Sequence, residues 1–465
     1  MIRNSSEKSK IRIDKIGTTT DYLTARGGLA FVNRYIESIN IYPMLKRYFG
    51  SIRKTSKGLP IQELFKQLFC FFIDGTSLHV TRFDDLSKDR GYASAIETPL
   101  KKMASSDQIK RFFTAFSFVR NYLFRKLLQE LFIWRLNIEN PAVIMLDLDT
   151  MVMANDDALK REGVEPTYKK KKGFQPLLLK WGAFVVDSVF RGGSKNSNYG
   201  TTVITMMEHI VRLIRKRYRE DAVIILKDDS GFYDQKNFKV FEELGIGHIS
   251  GGKIYATIRE YVENCPQEQW VNIEKKNQTW EILDFGDCRG TWDKFRRAIF
   301  TQPLYEDNQK LLPFARPSRI YYTNLGMGGN IDTLLKNAGL EHYLDAKNIV
   351  ELAHQRGADE LVHRAIKDFG TEQLPFKRFE SNTAYFYIMV AAFNLLEAFK
   401  EDVSKDVIPK VCYATTFRRK IIDIAAKIAH TGGKIIFRVT EDTWKALNVT
   451  MFWDLCNKPP VPAIL

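Results

Sequence analysis

Two short apolar contexts in this chain each carry a pair of aspartates. In VIMLDLDTMV, residues Val143, Ile144, Met145, Leu146 and Leu148 form a partly β-branched run that predicts a buried strand, interrupted by Asp147 and Asp149. Strand alternation puts both carboxylates on one face, and burying an unpaired carboxylate is costly. Such a strand needs a cation, a hydrogen-bond partner or an exit to solvent. VIILKDDSGFYD repeats the pattern: a strand from Val223 to Leu226 delivers Asp228 and Asp229 before a turn at Ser230 and Gly231. Later, AKNIVELAHQRGADELVHRAIKDF has helical spacing, and its Arg356, Glu360 and Lys367 share one face. An ordinary ion pair between Arg356 and Glu360 would account for two of these three. Two strand-end aspartates with a helical glutamate are also what two-metal phosphoryl transfer needs. Mg²⁺ is a hard ion held by a few carboxylates and phosphate oxygens. Two such ions about 4 Å apart can activate the attacking oxygen and stabilise the leaving one.

The elements that must position these acids follow an α/β pattern. Apolar residues recur at helical spacing over Leu29–Phe49 and Ile61–Ile73, and a third helix is expected from Ser106 or Asp107, where SSDQ resembles an N-cap, through Trp134. Residues 1–138 therefore read as a mostly helical N-terminal domain. After the first acidic strand, the run Lys169–Lys172 ends in Gly173 and reads as the charged tip of a hairpin-like connection. A strand is expected at Lys180–Val189, then helices near Val203–Arg217 and Gln235–Leu244, with a strand at Gly247–Ile249 between the last helix and Cys265. Residues 265–330 carry Trp270, Trp280 and Trp292 among alternating segments and read as an inserted β-rich module. Residues 139–264 and 331–400 would form the core around it. A basic module at 401–465, with a strand at Lys434–Val439, would close the chain.

Of the 465 residues, 45% are apolar and 27% charged, as in an ordinary globular protein. Lys and Arg total 70 against 55 acids, a net charge of +15, which favours a polyanionic partner, nucleic acid before anionic membrane. Residues 1–60 hold 12 Lys or Arg and 4 acids, so that segment is the expected DNA-docking region. The five cysteines are scattered, with no CxxC pair, which argues for a reducing compartment and against a zinc ribbon or disulfide framework. MIRNSSEKSK does not read as a signal peptide, and the most apolar run near it, Leu68–Ile73, is too short to cross a bilayer, so a cytoplasmic protein is expected.

The motifs LDLDT around Asp149, KDDSGFYD around Asp229 and the helix HQRGADELVHRAIK resemble the DDE transposases of bacterial insertion sequences. The resemblance is to the group with a β-rich insertion between the second aspartate and the glutamate. That group's last helix carries Tyr, Arg, Glu and Lys at fixed spacing. Arg356, Glu360 and Lys367 match it, while Ala353 stands at the tyrosine position. The resemblance implies a ribonuclease H-like catalytic core in which Asp149, Asp229 and Glu360 bind two Mg²⁺ ions, with Mn²⁺ able to substitute, and Asp147 and Asp228 as the alternatives within each pair. It implies Arg356 and Lys367 as DNA contacts, and an insertion tryptophan stacked on a flipped base, each of the three being otherwise a core residue. The partners would be double-stranded DNA, at the element's terminal inverted repeats and at the target, and a second copy of the chain. The implied activity is cut-and-paste transposition in a bacterial cytoplasm, on nucleoid DNA. Two other readings stay open: a transposase-derived DNA-binding protein that no longer cuts, and a stand-alone ribonuclease H-like nuclease.

Overall fold

The computed structural model describes residues 15–52, 58–158, 160–275, 278–304 and 318–464, without the side chains of residues 275 and 356–360. A short strand β1 (Tyr22–Thr24) leads into helices α1 (Leu29–Ser38), α2 (Ile41–Phe49), α3 (Ile61–Asp74), α4 (Phe83–Leu86), α5 (Arg90–Ala95), α6 (Ser106–Thr114) and α7 (Phe118–Glu139). Two helices expected as continuous are each broken. Asn40 takes a left-handed conformation between α1 and α2, and Ala115–Ser117 separate α6 from α7. The SSDQ signal is a full capping box in which Ser105 and Gln108 each accept from the other's backbone N–H.

The next strands are β2 (Val143–Thr150), β3 (Met153–Ala154), β4 (Glu165–Pro166), β5 (Lys172–Phe174), β6 (Leu177–Trp181) and β7 (Phe184–Val189). The single strand expected at Lys180–Val189 is instead the turn and second arm of a β6–β7 hairpin, reversed at Gly182, whose φ is +55°. Helix α8 (Thr202–Arg217), strand β8 (Val223–Asp228), helix α9 (Gln235–Glu243), strand β9 (Gly247–Gly251) and helix α10 (Ala256–Glu263) follow. Then come strands β10 (Val271–Lys275), β11 (Gln278–Asp287), β12 (Arg296–Pro303) and β13 (Arg319–Thr323).

One nine-stranded sheet runs β10-β11-β12-β13-β9-β8-β2-β6-β7. Strands β2, β8 and β9 are parallel, while β6 and β7 on one side and β13 to β10 on the other are antiparallel. The β-rich segment thus extends the central sheet, with Tyr321 to Thr323 of β13 in register with Gly251 to Ile249 of β9. Leu146, Leu148, Ile224 and Leu226 face a large core shared with α7, α8 and α14 (Phe379–Phe399). Val223, Ile225 and Ile249 face a second, smaller core under α11 (Asn330–Asn337) and α12 (Ala346–His354). The expected helix Ala346–Phe369 breaks at Gln355, and its second half is α13 (Arg356–Phe369).

The first and last described elements meet. After α15 (Ala414–Phe417), strand β14 (Ala426–Thr431) pairs with β1 and with β15 (Lys434–Arg438), and α16 (Glu441–Leu447) leads to α17 (Val449–Asn457), which packs on α1. Trp134 donates to the carbonyl of Pro462 at 2.8 Å, and the Ile464 N–H donates to Ile39 at the same distance. All five cysteines are free. Among the described residues no helix is long and apolar enough to cross a membrane.

Candidate active site

The acids of β2 and β8 are brought together by register. Parallel pairing ends with Leu148 opposite Asp228, so Asp149 of β2 and Asp229, the first residue past β8, come out at the same edge of the sheet. Residues in register share a face. Asp147 and Asp149 therefore project towards the smaller core and α13, and Asp228 projects with Leu148 to the opposite side. The buried cation that a carboxylate inside a strand demands is supplied by the neighbouring strand. Lys180 of β6, in register with Asp147, places its Nζ 2.6 Å from Asp147 Oδ2. Lys227 of β8 lies in the same row, so Asp147 sits between two buried lysines.

Asp228 is fixed on its own face, accepting a hydrogen bond from the Ser250 hydroxyl at 2.8 Å. Ser250 uses its proton there, so the 3.1 Å contact with His248 Nδ1 has the imidazole N–H as donor. His248 Nε2 is left buried without a partner. Burial first, then the charges of Arg296 and Lys294, push His248 down to about 3 from its usual 6.5. A folded pKa below the unfolded one means that stability is full above pH 6.5 and drains as pH falls towards 3. Lowering pH from 7.5 to 5 should cost the wild type about 2 kcal/mol more than His248→Gln, measured by urea unfolding. Equal losses in both would remove His248 as the cause.

Asp149 is only 8% exposed, and its Oδ1 accepts the N–H of Thr150 at 2.7 Å. The Thr150 hydroxyl meets Ser197 Oγ at 2.8 Å. Asp229 begins a tight turn, its Oδ1 accepting the Gly231 N–H at 2.7 Å. A Cβ at Gly231 would lie 2.8 Å from Asp229 Oδ1 and 2.9 Å from Ser197 Oγ, so the loop closes only around a glycine. Ser197 thus ties its loop to the end of β2 through Thr150 and lies close against the Gly231 turn that follows β8.

Helix α13 lies over this edge. His363 Nδ1 is 3.8 Å from Asp149 Oδ2, and Glu360 precedes His363 by three residues, one turn back on the same helix face. The side chains of Arg356 and Glu360 lie outside the described residues. Lys367, one turn further on, holds Glu372 at 2.9 Å, and Glu372 accepts the Ala154 N–H just past Thr150. Ala353 belongs to α12 and is buried in the smaller core, away from the α13 face. Among the residues whose side chains are described, no three His, Cys, Asp or Glu form a metal-binding group.

The family model for the Transposase DDE domain group 1 matches residues 4–454. The chain belongs to this family. It is a DNA transposase, an enzyme that cuts and joins DNA strands, and enzymes of this kind work with divalent metal ions. A cryo-EM structure of the piggyBac transposase synaptic complex with hairpin DNA is similar at TM-score 0.39 and 13% identity, over 87% of this chain and 82% of that one. No curated protein gives a significant match.

The transposase presents oxygen donors at this edge, carboxylates and hydroxyls with no thiol among the described groups, which suits a hard divalent ion. Sequence reasoning missed three groups here. His363 carried one usable signal, its three-residue spacing from Glu360. Ser197 and Lys180 carried none, because each meets its partner through folding. Arg191 is a fourth unusual group: it donates to the carbonyls of Gln175 and Ser197, has no carboxylate partner among the described residues, and burial alone pushes it down to about 10.

Proposed function

We propose that this transposase works by cut and paste, with Asp149, Asp229 and Glu360 as the ligands of two Mg²⁺ ions on a ribonuclease H-like core. The observation that carries the reading is the emergence of Asp149 and Asp229 side by side at the ends of two parallel strands, with α13 held over Asp149 through His363. The strand order β7-β6-β2-β8-β9, three antiparallel strands continued by two parallel ones, supports the core assignment. Asp147 and Asp228 are engaged with Lys180 and Ser250, which favours the second acid of each pair. When bound, the ions would acidify the attacking water and neutralise charge developing on the phosphate. The protein's own share is positioning: the Thr150 and Gly231 N–H groups set the carboxylates, and the scissile phosphate enters along the α13 face.

Arg356 and Lys367 contact DNA next to that phosphate, Lys367 exchanging Glu372 for a phosphate oxygen. Of the insertion tryptophans, Trp280 is buried against His354 and Trp270 packs edge-on against Phe300, whereas Trp292 borders a groove of about 580 Å³ with Tyr255 and Arg289. Trp292 is therefore the one suited to a flipped base. Two copies act on paired element ends, and the element resides on nucleoid DNA in a bacterial cytoplasm. Residues 1–138 serve DNA docking beside a core of 139–264 and 331–400 with its 265–330 insertion, and 401–465 form a basic C-terminal module.

A supercoiled plasmid carrying the inverted repeats that flank this reading frame tests the proposal. With Mg²⁺ or Mn²⁺ the protein should release the segment between the repeats. Cutting that ignores the repeats would make the chain a stand-alone nuclease, and repeat binding without cutting would make it a DNA-binding derivative.

A further inference from the structure

The lysine run Lys169–Lys172 sits at the tip of a small three-stranded sheet, β3-β5-β4, which grows directly out of the candidate active site. β3 begins at Met153, three residues after Thr150. The tip is held as a defined turn. Thr167 donates through both its backbone N–H and its hydroxyl to the carbonyl of Lys171, each at 2.8 Å, and the Lys170 N–H returns to Thr167 at 3.0 Å. Lys170 takes a left-handed φ of +59° to close it. The Lys172 N–H is tied to Asp156 at 2.7 Å.

Beneath the tip the packing is backbone on backbone. A Cβ at Gly173 would fall 1.9 Å from the Met153 carbonyl oxygen, and one at Gly193 would fall 2.2 Å from that of Glu165. A side chain at either position would pry the sheet apart. The platform is closely packed, yet what it presents is four exposed lysines in a row, which form no ion pair among the described residues. Like charges gathered in one turn repel one another, weakly where water and salt screen them. A merely solvated loop has no need of either the locking or the repulsion. Both make sense if the occupant is a polyanion that arrives at the site rim.

We propose that this hairpin is a DNA clamp, its lysines neutralising backbone phosphates of the duplex beside the scissile one. The inference rests on the transposase reading and adds the surface that grips the duplex. Contacts to phosphate carry no base information, so they hold any sequence alike. Each neutralised phosphate releases condensed counterions, contributing about 0.9 to the slope of log K against log salt.

The test uses the full chain with Lys169→Gln, Lys171→Gln and Lys172→Gln combined, leaving Lys170 for its turn geometry. Binding to an element-end duplex and to an unrelated duplex is titrated from low to moderate salt. The slope should fall by about 2 to 3 for both duplexes, with the same three positions as arginine restoring it. An unchanged slope, or a loss confined to the element end, overturns the clamp. Metal-dependent excision by the wild type, scored in parallel, keeps that failure distinct from failure of the transposition mechanism. A wild-type chain that bound neither duplex would sink both.

Discussion

Asp149→Asn or Asp229→Asn is expected to leave element-end binding within a few-fold of wild type and to slow metal-dependent cutting by about 10³-fold or more. The magnitude follows from the chemistry asked of the site. Lewis-acid stabilisation of the reacting phosphate supplies several kcal/mol, and each ~1.4 kcal/mol is tenfold in rate. An amide keeps the size of the side chain and the hydrogen bond from Thr150 or Gly231, but loses the charge that holds a hard cation. Glu360→Gln should behave in the same way. Asp228→Asn is the control, because its carboxylate faces the other side of the sheet and is held by Ser250; cutting per folded molecule should stay within tenfold. Gel shift with single-turnover cleavage separates the two readouts. Full cutting by the Asp149 or Asp229 variant would remove that residue from the metal site, and loss of binding in parallel with cutting would make its role structural.

What was legible in the sequence divides along physical lines. Local pattern was enough for β2, β8 and α8, where apolar residues recur with little choice, and for the Ser105–Gln108 capping box. Asp149 and Asp229 stood out because an aspartate is conspicuous at the end of such a run. Breaks inside helical patterns did not stand out. Ala115–Ser117 between α6 and α7 interrupt a sequence whose apolar spacing carries on without a proline or glycine, and at Gln355 between α12 and α13 the nearby glycine, Gly357, falls past the break, inside α13. The β6–β7 hairpin was read as one strand because Gly182 alone signals the reversal. Pairings distant in sequence were out of reach altogether. Nothing in Tyr321–Thr323 announces that it will align with β9, or in Tyr22–Thr24 that it will meet β14. The same holds for Ala353: its buried place under the sheet explains a small residue there, but only once α12 has been docked.

Lys180→Met carries the second large effect, this time on stability. The substitution fits the same volume with an apolar chain, but it withdraws the ammonium 2.6 Å from a carboxylate that is 4% exposed. Removing one partner of a buried pair costs about 3–5 kcal/mol, because the remaining charge cannot reach water. The lower end, about 3 kcal/mol, is expected here, since Lys227 in the same register row still faces Asp147. Replacing both partners, Asp147→Leu with Lys180→Met, removes the stranded charge and should recover most of that loss in urea unfolding. The double variant also decides what the first aspartate is for. If Asp147 serves only the sheet, the double variant cuts its element ends with the metal requirement of wild type, because Asp149 and Asp229 keep their places at the strand ends. If it folds with near-native stability and does not cut, Asp147 is a ligand, and the choice of Asp149 within the first pair is wrong.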